Sequence, residues 1–246
     1  MDWLMPDWPA PPNVRAACST RDGGVSTAVY ASLNLGDHVG DDAQLVARNR
    51  AIFERAIGAR PVYLKQVHGT AGVVELDGNT EDGIEADGCW TTQRGVACTI
   101  MVADCLPVLF ATKDGAKVGA AHAGWRGLAG GIVEATVRAM GAPPASLLAW
   151  LGPAIGPDAF EVGDDVKTAF GQCDANAAKH FKPLRTGKWL CDLPALARMR
   201  LAALGVECIH GNDGSREWCT VSNPSRFFSH RRDRASGRFA AAVWRA

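Results

Sequence analysis

The sequence predicts a single α/β (or α+β) domain in which mixed β-sheets are flanked by helices. Three observations lead to this prediction. The chain has 246 residues with 47% apolar content, which is enough to bury a sizeable core within the usual length of one domain. Short apolar segments typical of buried strands alternate with helical patterns. No repeat or low-complexity boundary divides the chain, so we expect one domain over residues 1–246.

The first helical pattern covers residues 41–58. Asp41 and Asp42 are suitable N-caps, and Gly58 is a suitable C-terminal stop. At about 100° per residue, one side of this helix carries an apolar stripe made of Leu45, Ile52, Phe53 and Ala56. Asn49 falls inside the stripe and Arg48 on its flank. We therefore expect an amphipathic helix with one polar residue on its buried side.

Four short apolar segments in the middle of the chain predict buried strands. Each ends at Gly, Pro or Asp and is too short for a typical helix; they read "VACTIMVAD", "PVLFAT", "KVGAAHA" and "LLAWLG". Helical patterns that follow Gly127 and Phe160 alternate with these segments. This alternation is what favours an α/β or α+β class with mixed sheets.

A further helix and a loop complete the prediction. The helix covers about residues 193–204, with Asp192 as N-cap, Pro194 in the first turn and Gly205 just beyond the end. The stretch 77–88 reads "DGNTEDGIEADG" and carries five acids and three glycines, which predicts an exposed loop.

The charge balance and the N-terminus argue against several classes of protein. Lys plus Arg equal Asp plus Glu at 26 each, so nothing favours nucleic acid as a partner. The opening "MDWLMPDWPAPPN" is acidic and proline-rich, unlike a secretory signal or a membrane anchor. We expect residues 1–13 to be loosely ordered and the protein to be cytoplasmic, with no membrane contact. The 8 cysteines include no C-x-x-C pair, so most should be reduced and buried.

Three residues stand out as candidates for chemistry because each ends an apolar, strand-like segment. They are His68 in "KQVHG", Cys105 in "VADCLPV" and His122 in "GAAHAGWRG". Imidazole and thiolate are good zinc donors, and three protein ligands leave a fourth position open, as in catalytic sites. The separations of 37 and 17 residues mean that only the fold can bring these side chains together.

Other interpretations of the same residues remain open. Cys105 can act as a thiolate nucleophile activated by His122, with Asp104 or His68 orienting the imidazole. All three residues can equally be buried structural groups. A copper oxidase is a weaker alternative, because six histidines without an H-x-H pair supply a multinuclear copper cluster poorly.

A basic tail and two isolated residues are candidates for substrate binding. The tail "NPSRFFSHRRDRASGR" gathers arginines that can clamp a phosphate or carboxylate around Ser229 and His230: Arg226, Arg231, Arg232, Arg234 and Arg238. Phe227 and Phe228 indicate that the tail packs onto the domain. Arg48 and Gln66 are further candidates, and Trp125 is more typical of packing.

Several stretches together resemble the YfiH-type family, also called the multicopper polyphenol oxidase or laccase-domain family. They run in the family's order from about residue 32 to the C-terminus. The matching stretches are "SLNLGDHVGDD", "NR", "QVHG", "ADCLPV", "AAHAGWRG", "LGPAIGPDAFEVGDDV", "DLPALARMRLAALGV", "CT" and "FFSHRRD". Such an ordered set is highly specific.

The resemblance implies a fold related in part to bacterial cytotoxic deamidases, and one zinc ion held by His68, Cys105 and His122. It also carries over Ser229, Arg231 and Arg232, while His230 stands where many members have tyrosine. We assign His68, Cys105, His122 and Asp104 to catalysis, with Asp104 orienting an imidazole or accepting a proton. Substrate contacts are expected from Arg48, Gln66, Ser229 and Arg231.

The implied activity is phosphorolysis of adenosine, inosine and S-methyl-5'-thioadenosine to the base and ribose 1-phosphate, with deamination of adenosine. The expected partners are thus a small nucleoside and phosphate. Alternatives are an amidase that edits UDP-muramoyl dipeptides, a laccase-like polyphenol oxidase that uses copper, and a zinc-stabilised interaction module in which Cys219 or His230 supplies a fourth ligand. The sequence leaves the choice between monomer and homodimer open.

Overall fold

The computed structural model describes residues 3–70 and 72–246, which contain thirteen strands and six α-helices. The strands are β1 Val14–Cys18, β2 Arg60–Tyr63, β3 Val73–Glu75, β4 Gly88–Thr91, β5 Val96–Val102, β6 Leu106–Thr112, β7 Val118–Ala123, β8 Leu147–Leu151, β9 Glu161–Gly163, β10 Phe181–Arg185, β11 Lys188–Cys191, β12 Cys208–Gly211 and β13 Phe239–Arg245. The helices are α1 Ala43–Ile57, α2 Trp125–Gly130, α3 Ile132–Met140, α4 Asp164–Cys173, α5 Leu193–Ala203 and α6 His230–Asp233.

These strands form three sheets. A four-stranded sheet has the order β1-β13-β5-β2, a six-stranded sheet has the order β12-β8-β6-β7-β4-β3, and a small sheet has the order β10-β11-β9. The four-stranded and six-stranded sheets each contain both parallel and antiparallel pairs. The predicted single α/β domain with mixed sheets is therefore confirmed.

The two larger sheets are buried on both faces. Alternate residues of β5 enter different cores: Cys98 and Ile100 pack in the core that also holds Leu109 and Ala120 of the six-stranded sheet. Met101, from the opposite face of β5, packs in the core that covers α1. The outer face of the six-stranded sheet packs against α3 and α5. The order of layers is thus helix, sheet, sheet, helix, which explains why the central strands read as continuous apolar runs.

The predicted central strands and the helix near residue 193 are confirmed. The four apolar segments form β5, β6, β7 and β8, and all residues of these strands are buried. Helix α5 has Asp192 as its N-cap, and the Asp192 carboxylate accepts a hydrogen bond from the backbone N–H of Ala195 at 2.9 Å. Gly205 follows this helix with a φ of +92°.

Helix α1 begins after Asp42, whose carboxylate caps it, and ends before Gly58 in the left-handed conformation. Its buried face consists of Val46, Asn49, Phe53 and Ile57, so the predicted stripe is rotated and Ala56 is exposed. Both the oxygen and the nitrogen of the buried Asn49 amide are hydrogen-bonded. Its Nδ2 donates to Ser26, Ser32 and Asn34, and its Oδ1 accepts from the backbone of Val25.

The N-terminal segment differs from the loosely ordered stretch expected for residues 1–13. Residues 1 and 2 lie outside the described residues, but from residue 3 onward the segment packs on the domain. Leu4 and Cys18 exchange two backbone hydrogen bonds of 2.9 and 2.8 Å, and the Trp3 ring lies 5.2 Å from the Phe53 ring. The proline content of the segment predicted loose order, but apolar burial and strand pairing hold it against the domain. No helix of the described residues is long and apolar enough to cross a membrane.

The predicted loop over residues 77–88 is exposed only in its first part. Residues 81–85 are exposed, whereas Ala86, Asp87 and Gly88 are buried and lead into β4. The acidic composition of the stretch predicted exposure throughout. Asp87 can nevertheless be buried, because its carboxylate is hydrogen-bonded to other groups of the protein.

Candidate metal centre and active site

The sheet topology brings His68, Cys105 and His122 together. β2 and β5 are parallel, so the chain leaves both strands at the same edge, towards His68 and Cys105 respectively. β6 and β7 are antiparallel, with Leu106 opposite Ala123, which places Cys105 beside the end of β7 that carries His122. The long sequence separations are closed by these two strand pairings.

The three side chains form a compact cluster. One possible ligand atom from each residue lies within 4.8 Å of the corresponding atoms of the other two. Cys105 Sγ is 3.6 Å from His68 Nε2, and the two imidazole rings meet edge to face at 4.6 Å. His122 is buried, Cys105 is half-buried and His68 is exposed, so one side of the cluster faces solvent. The residues His68, Cys105 and His122 can hold a metal ion.

A buried carboxylate that the sequence did not single out holds this cluster in place. Asp87 Oδ1 lies 2.8 Å from His122 Nδ1. The same carboxylate accepts backbone hydrogen bonds from Val67, His68 and Gly69 at 3.2, 3.0 and 2.7 Å. Because a carboxylate only accepts, Nδ1 of His122 carries the proton and Nε2 is left for a ligand.

The backbone at His68 shows why these hydrogen bonds matter. His68 has a φ of +59°, a left-handed conformation that is unfavourable for a residue with a Cβ. The three consecutive N–H groups around it all point at Asp87, which stabilises the turn. A sign in the sequence was available, since Asp87 stands directly before β4, as Cys105 stands directly before β6.

The charges of the cluster shift two pKa values in the metal-free protein. Burial raises the pKa of the Cys105 thiol, but the charges and hydrogen bonds of His122 and His68 outweigh this effect and lower it to about 6. Burial lowers the pKa of His122, but the Cys105 thiolate and Asp87 raise it to about 9. Burial likewise opposes ionisation of Asp87, yet its hydrogen bonds from His122, Gly69 and His68 keep its pKa below the usual value. A thiolate–imidazolium pair is therefore favoured near neutral pH.

The small residues of "GAAHAGWRG" allow the strand end to approach the cluster. A Cβ on Gly124 would lie 3.0 Å from both Cys105 Sγ and His68 Cδ2, closer than ordinary van der Waals contact. Glycine thus lets β7 turn into α2 here without displacing the Cys105 and His68 side chains. The next two residues, Trp125 and Arg126, border the cavity, and the Arg126 guanidinium lies 4.4 Å from the Trp125 ring.

The cluster opens into a cavity of about 380 Å³. Its lining combines the three cluster residues with aromatic, aliphatic and basic side chains, namely His38, Gln66, Met101, Val102, Ala103, Asp104, Trp125, Arg126, Ile155, Phe160, Leu193, His230, Arg231 and Arg238. The volume suits a small organic molecule. Asp104 is the only carboxylate among these lining residues, so the cavity favours an anionic or electron-rich ligand.

The position of Asp104 corrects its expected role as the residue that orients an imidazole. Its carboxylate accepts hydrogen bonds of 2.6 Å from Thr220 Oγ1 and from the backbone N–H of Arg231. No described imidazole donates to it; that role belongs to Asp87. Asp104, at a φ of +90°, thus fastens the C-terminal tail to the turn that carries Cys105.

Gln66 and Arg231 both reach the cavity. The Gln66 side chain also exchanges hydrogen bonds with the backbone N–H and C=O of Met101 at 2.9 and 2.8 Å, so it continues the pairing of β2 with β5. The Arg231 guanidinium donates to the backbone C=O of Glu161 at 2.9 Å and lies 5.4 Å from the Phe160 ring. Both residues therefore have a structural contact in addition to their place in the lining.

Two predicted substrate contacts lie outside the cavity. The buried Ser229 is the N-cap of α6, and its hydroxyl accepts from the backbone N–H of Arg232. Arg48 is exposed on α1 and does not line the cavity, because the stripe beside it faces the four-stranded sheet.

Of the arginines of the C-terminal tail, Arg231 and Arg238 line the cavity, whereas Arg232 makes structural hydrogen bonds. Arg232 donates to the carbonyls of Thr220, Val221 and Phe227, while Phe227 and Phe228 are fully buried, as predicted.

The two residues considered as a fourth metal ligand also lie outside the cluster. The buried Cys219 Sγ accepts from the backbone N–H of Gly156 at 3.2 Å. His230 lines the cavity but is exposed and is not among the residues of the cluster. Within the part of the chain that the structure describes, the cluster therefore has three protein donors.

Comparison with known proteins supports the fold and finds relatives over nearly the whole chain. The chain is 51% identical over 243 residues to "Purine nucleoside phosphorylase PA4543" of Pseudomonas aeruginosa, covering 98% of each chain. It is 47% identical over 244 residues to "Purine nucleoside phosphorylase YfiH" of Escherichia coli, again covering 98% of each. The crystal structure of Neisseria meningitidis protein NMB0706 is similar with a TM-score of 0.95 and 48% identity, covering 100% of this chain and 99% of that one.

Residues 15–246 match the family model described as multi-copper polyphenol oxidoreductase laccase. The family match and the relatives named YfiH agree with the resemblance inferred from the sequence motifs. The chain therefore belongs to this laccase-like, YfiH-type family.

Proposed function

We propose that the metal of this site is zinc. Two imidazoles and one thiolate are a donor set that zinc accepts readily. Zn–S and Zn–N bonds of about 2.3 and 2.0–2.1 Å at a tetrahedral angle separate sulfur and nitrogen by roughly 3.5 Å. The 3.6 Å between Cys105 Sγ and His68 Nε2 fits this geometry. Zinc bound here would polarise a substrate oxygen and lower the pKa of a bound water.

We infer that the enzyme is a purine nucleoside phosphorylase that also deaminates adenosine. One observation carries this inference: the three-donor cluster opens into a cavity that offers aromatic faces and guanidinium groups together. A purine base stacks on aromatic rings, and phosphate pairs with guanidinium groups. Relatives that are about half identical over nearly the whole chain are named purine nucleoside phosphorylase.

The proposed substrates are adenosine, inosine and S-methyl-5'-thioadenosine. In phosphorolysis, the bond from ribose C1' to the base nitrogen breaks, a bond from C1' to a phosphate oxygen forms, and the base leaves with a proton. In deamination, water adds to C6 of adenosine and ammonia leaves. We propose that Trp125 and Phe160 contact the base and that the guanidinium groups of the lining contact the nucleoside and phosphate. Cys105 and the two histidines stand at the reacting atoms.

Phosphate-dependent release of ribose 1-phosphate from inosine, measured with purified protein of known metal content, tests the proposal. We expect one zinc per chain, release of hypoxanthine only when phosphate is present, and formation of inosine from adenosine. Cys105→Ser should lose both the zinc and the activity. Cys173→Ser, which changes an exposed cysteine, is the matched control. If Cys105→Ser retains one zinc per chain, the ligand assignment is wrong.

One observation favours an amidase acting on UDP-muramoyl dipeptides as the second candidate. Asp87, His122 and Cys105 lie in the order acid, imidazole, thiol that activates a cysteine for attack on a carbonyl. The same purified protein should then cleave the amide of the muramoyl peptide and leave adenosine and inosine unchanged. Assays with both substrates under identical conditions separate the two functions.

Two further alternatives have less support. A multicopper oxidase needs several imidazole-rich copper sites, and the described residues offer one three-donor cluster, with a thiolate in it. A zinc-stabilised interaction module needs a fourth protein donor, and neither Cys219 nor His230 belongs to the cluster. The partners that we propose are therefore a nucleoside and phosphate. All eight cysteines are free, which suits the reducing cytoplasm proposed as its compartment.

A further inference from the structure

Arg238, in the C-terminal tail, has a guanidinium whose hydrogen bonds to described residues all come from one nitrogen, Nη1. Its Nη1 donates to the backbone C=O of Ser236 and Gly237 at 2.9 and 3.0 Å. Its Nε and Nη2 donate no hydrogen bond to any described residue, and no described carboxylate forms an ion pair with it. The side chain nevertheless lines the cavity. A half-buried guanidinium with free donors calls for an anion from outside the chain.

The electrostatic surroundings support this reading. Burial lowers the pKa of Arg238, and the nearby charges of Cys105 and Asp104 only partly oppose this effect. The positive charge is therefore poorly compensated within the protein. His38 borders the same cavity, and burial together with the charge of Arg238 lowers its pKa despite the neighbouring Asp37. Arg238 thus brings positive charge to this part of the lining, and the neutral imidazole of His38 adds one N–H donor.

The motif "SLNLGDH" holds Arg238 in position. Asn34 is fully buried, and its Oδ1 accepts hydrogen bonds from the backbone N–H groups of Gly36 and Arg238 at 3.0 and 2.8 Å. The backbone N–H of Leu35 donates to the C=O of Arg238 at 2.9 Å. A Cβ on Gly36 would lie 2.8 Å from Cγ of Arg238, so only glycine lets the loop lie against the arginine stem. The guanidinium is therefore pre-organised before any ligand arrives.

The geometry points to Arg238 and His38 as the binding site for the phosphate group that takes part in the reaction. This inference rests on the proposed function, because phosphorolysis requires phosphate beside the nucleoside. The free Nε–H and Nη2–H of Arg238 form a fork that matches two phosphate oxygens. Arg126 and Arg231, which lie against Trp125 and Phe160, are left to the nucleoside side of the cavity. The phosphate can come from inorganic phosphate or from the diphosphate of a nucleotide-linked substrate.

The test is steady-state kinetics of inosine phosphorolysis with Arg238→Lys and Arg238→Gln. We expect the KM for inorganic phosphate to rise by at least about tenfold, because one paired guanidinium contact is lost. The KM for inosine, and the rate of adenosine deamination, should change by less than about threefold. Arg48→Ala is the matched control, since Arg48 is exposed and outside the cavity. An unchanged phosphate KM, or an equal rise in the KM for inosine, would overturn the assignment.

Two further measurements keep the inference separate from the proposed function. His38→Gln changes an exposed side chain and should also raise the phosphate KM, even if the Arg238 variants fold poorly. Calorimetric titration of the wild-type protein with inorganic phosphate should show binding that Arg238→Gln loses. If the wild-type protein cleaves no nucleoside but binds phosphate through Arg238, the proposed function fails and the subsite stands. If only UDP, and not inorganic phosphate, binds in an Arg238-dependent way, the phosphate belongs to a nucleotide substrate; if neither binds, the subsite is wrong.

Discussion

Asp87 and Asp104 are two carboxylates near the cluster of His68, Cys105 and His122, and they bind different parts of the chain. Asp87 is buried and binds His122 Nδ1 and three consecutive backbone N–H groups around His68. Asp104 binds Thr220 and the backbone of Arg231, so it joins the turn carrying Cys105 to the C-terminal tail. The first carboxylate orients side chains that can hold a metal ion, and the second fastens a distant part of the chain beside them.

The comparison shows that neighbourhood in sequence is a poor guide to a residue's partner. Asp104 precedes Cys105 directly, yet it orients no residue of the cluster. Asp87 is 19 residues from His68 and 35 from His122, and it holds both. A residue that orients a ligand must face it in the fold, and adjacency in the chain does not ensure this: Asp104 lies in a bend at a φ of +90° and its carboxylate bonds to the C-terminal tail.

The largest expected effect concerns the charges on the cluster beside Asp87. Between about pH 6 and 9, the metal-free protein holds a Cys105 thiolate and a protonated His122. Metal binding must then release the His122 proton, so affinity should fall about tenfold for each unit that the pH decreases, roughly 1000-fold over this range. Below about pH 6 the thiol proton must also leave, and the fall should steepen. Competition titrations with a chelator from pH 5 to 9 measure this. An affinity that stays constant from pH 6 to 9 would contradict the thiolate–imidazolium pair.

Asp87→Asn should have the next largest effect. The amide keeps the shape of the side chain but loses the charge that supports His122 and accepts fewer hydrogen bonds from residues 67–69. We expect zinc affinity to fall by about 10–100-fold, as for other residues that orient metal ligands. The measurement is competition with a chelator at pH 7.5, with circular dichroism as the control for folding. Wild-type affinity in a folded Asp87→Asn protein would show that this carboxylate does not position the ligands.

Asp104→Asn is the matched substitution on the other side of the cluster. Loss of charge from the two 2.6 Å hydrogen bonds should lower the free energy of unfolding by about 2 kcal/mol. Zinc affinity should change by less than about threefold. Urea denaturation and the same chelator competition measure the two quantities. If Asp104→Asn loses as much zinc affinity as Asp87→Asn, the distinction between the two carboxylates fails.

The smallest effect is expected for Ser229→Ala, within the segment that Asp104 fastens. Because Ser229 caps α6 and lies outside the cavity, its loss should cost about 1 kcal/mol in the free energy of unfolding. The KM and kcat for inosine should remain at wild-type values. Thermal unfolding and steady-state kinetics check this. A higher KM without a loss of stability would return Ser229 to the role of substrate contact.

The sequence predicted much of the fold because its signals were local. Alternation of apolar runs and capping residues located the four central strands and helices α1 and α5, and the ends of α1 and α5 follow their caps closely. The rotation of the buried face of α1 was not predicted, since it depends on which residues the four-stranded sheet touches. The packed N-terminal segment was missed for a similar reason: its partner, Cys18, pairs with it through backbone groups that every residue carries.

The site was predicted where the residue type itself limited the choice. Few side chains bind zinc well, so His68, Cys105 and His122 could be selected by ligand chemistry and by family motifs. Arginine and serine have many structural uses, and here Arg232 and Ser229 serve the tail, whereas Arg238 and Arg231 reach the cavity. Asp87 went unnoticed because an acidic, glycine-containing stretch is typical of an exposed loop.

Residue types and their periodicity determine which segments of this chain form strands and helices, and which side chains are chemically able to bind a metal. These properties depend on a residue and its near neighbours, so they can be inferred without the fold. The partner of each carboxylate, the meeting of three ligands at one sheet edge and the free donors of Arg238 depend on strand pairings between distant segments. Those pairings are chosen by packing and hydrogen bonding over the whole domain, and only the tertiary structure contains them.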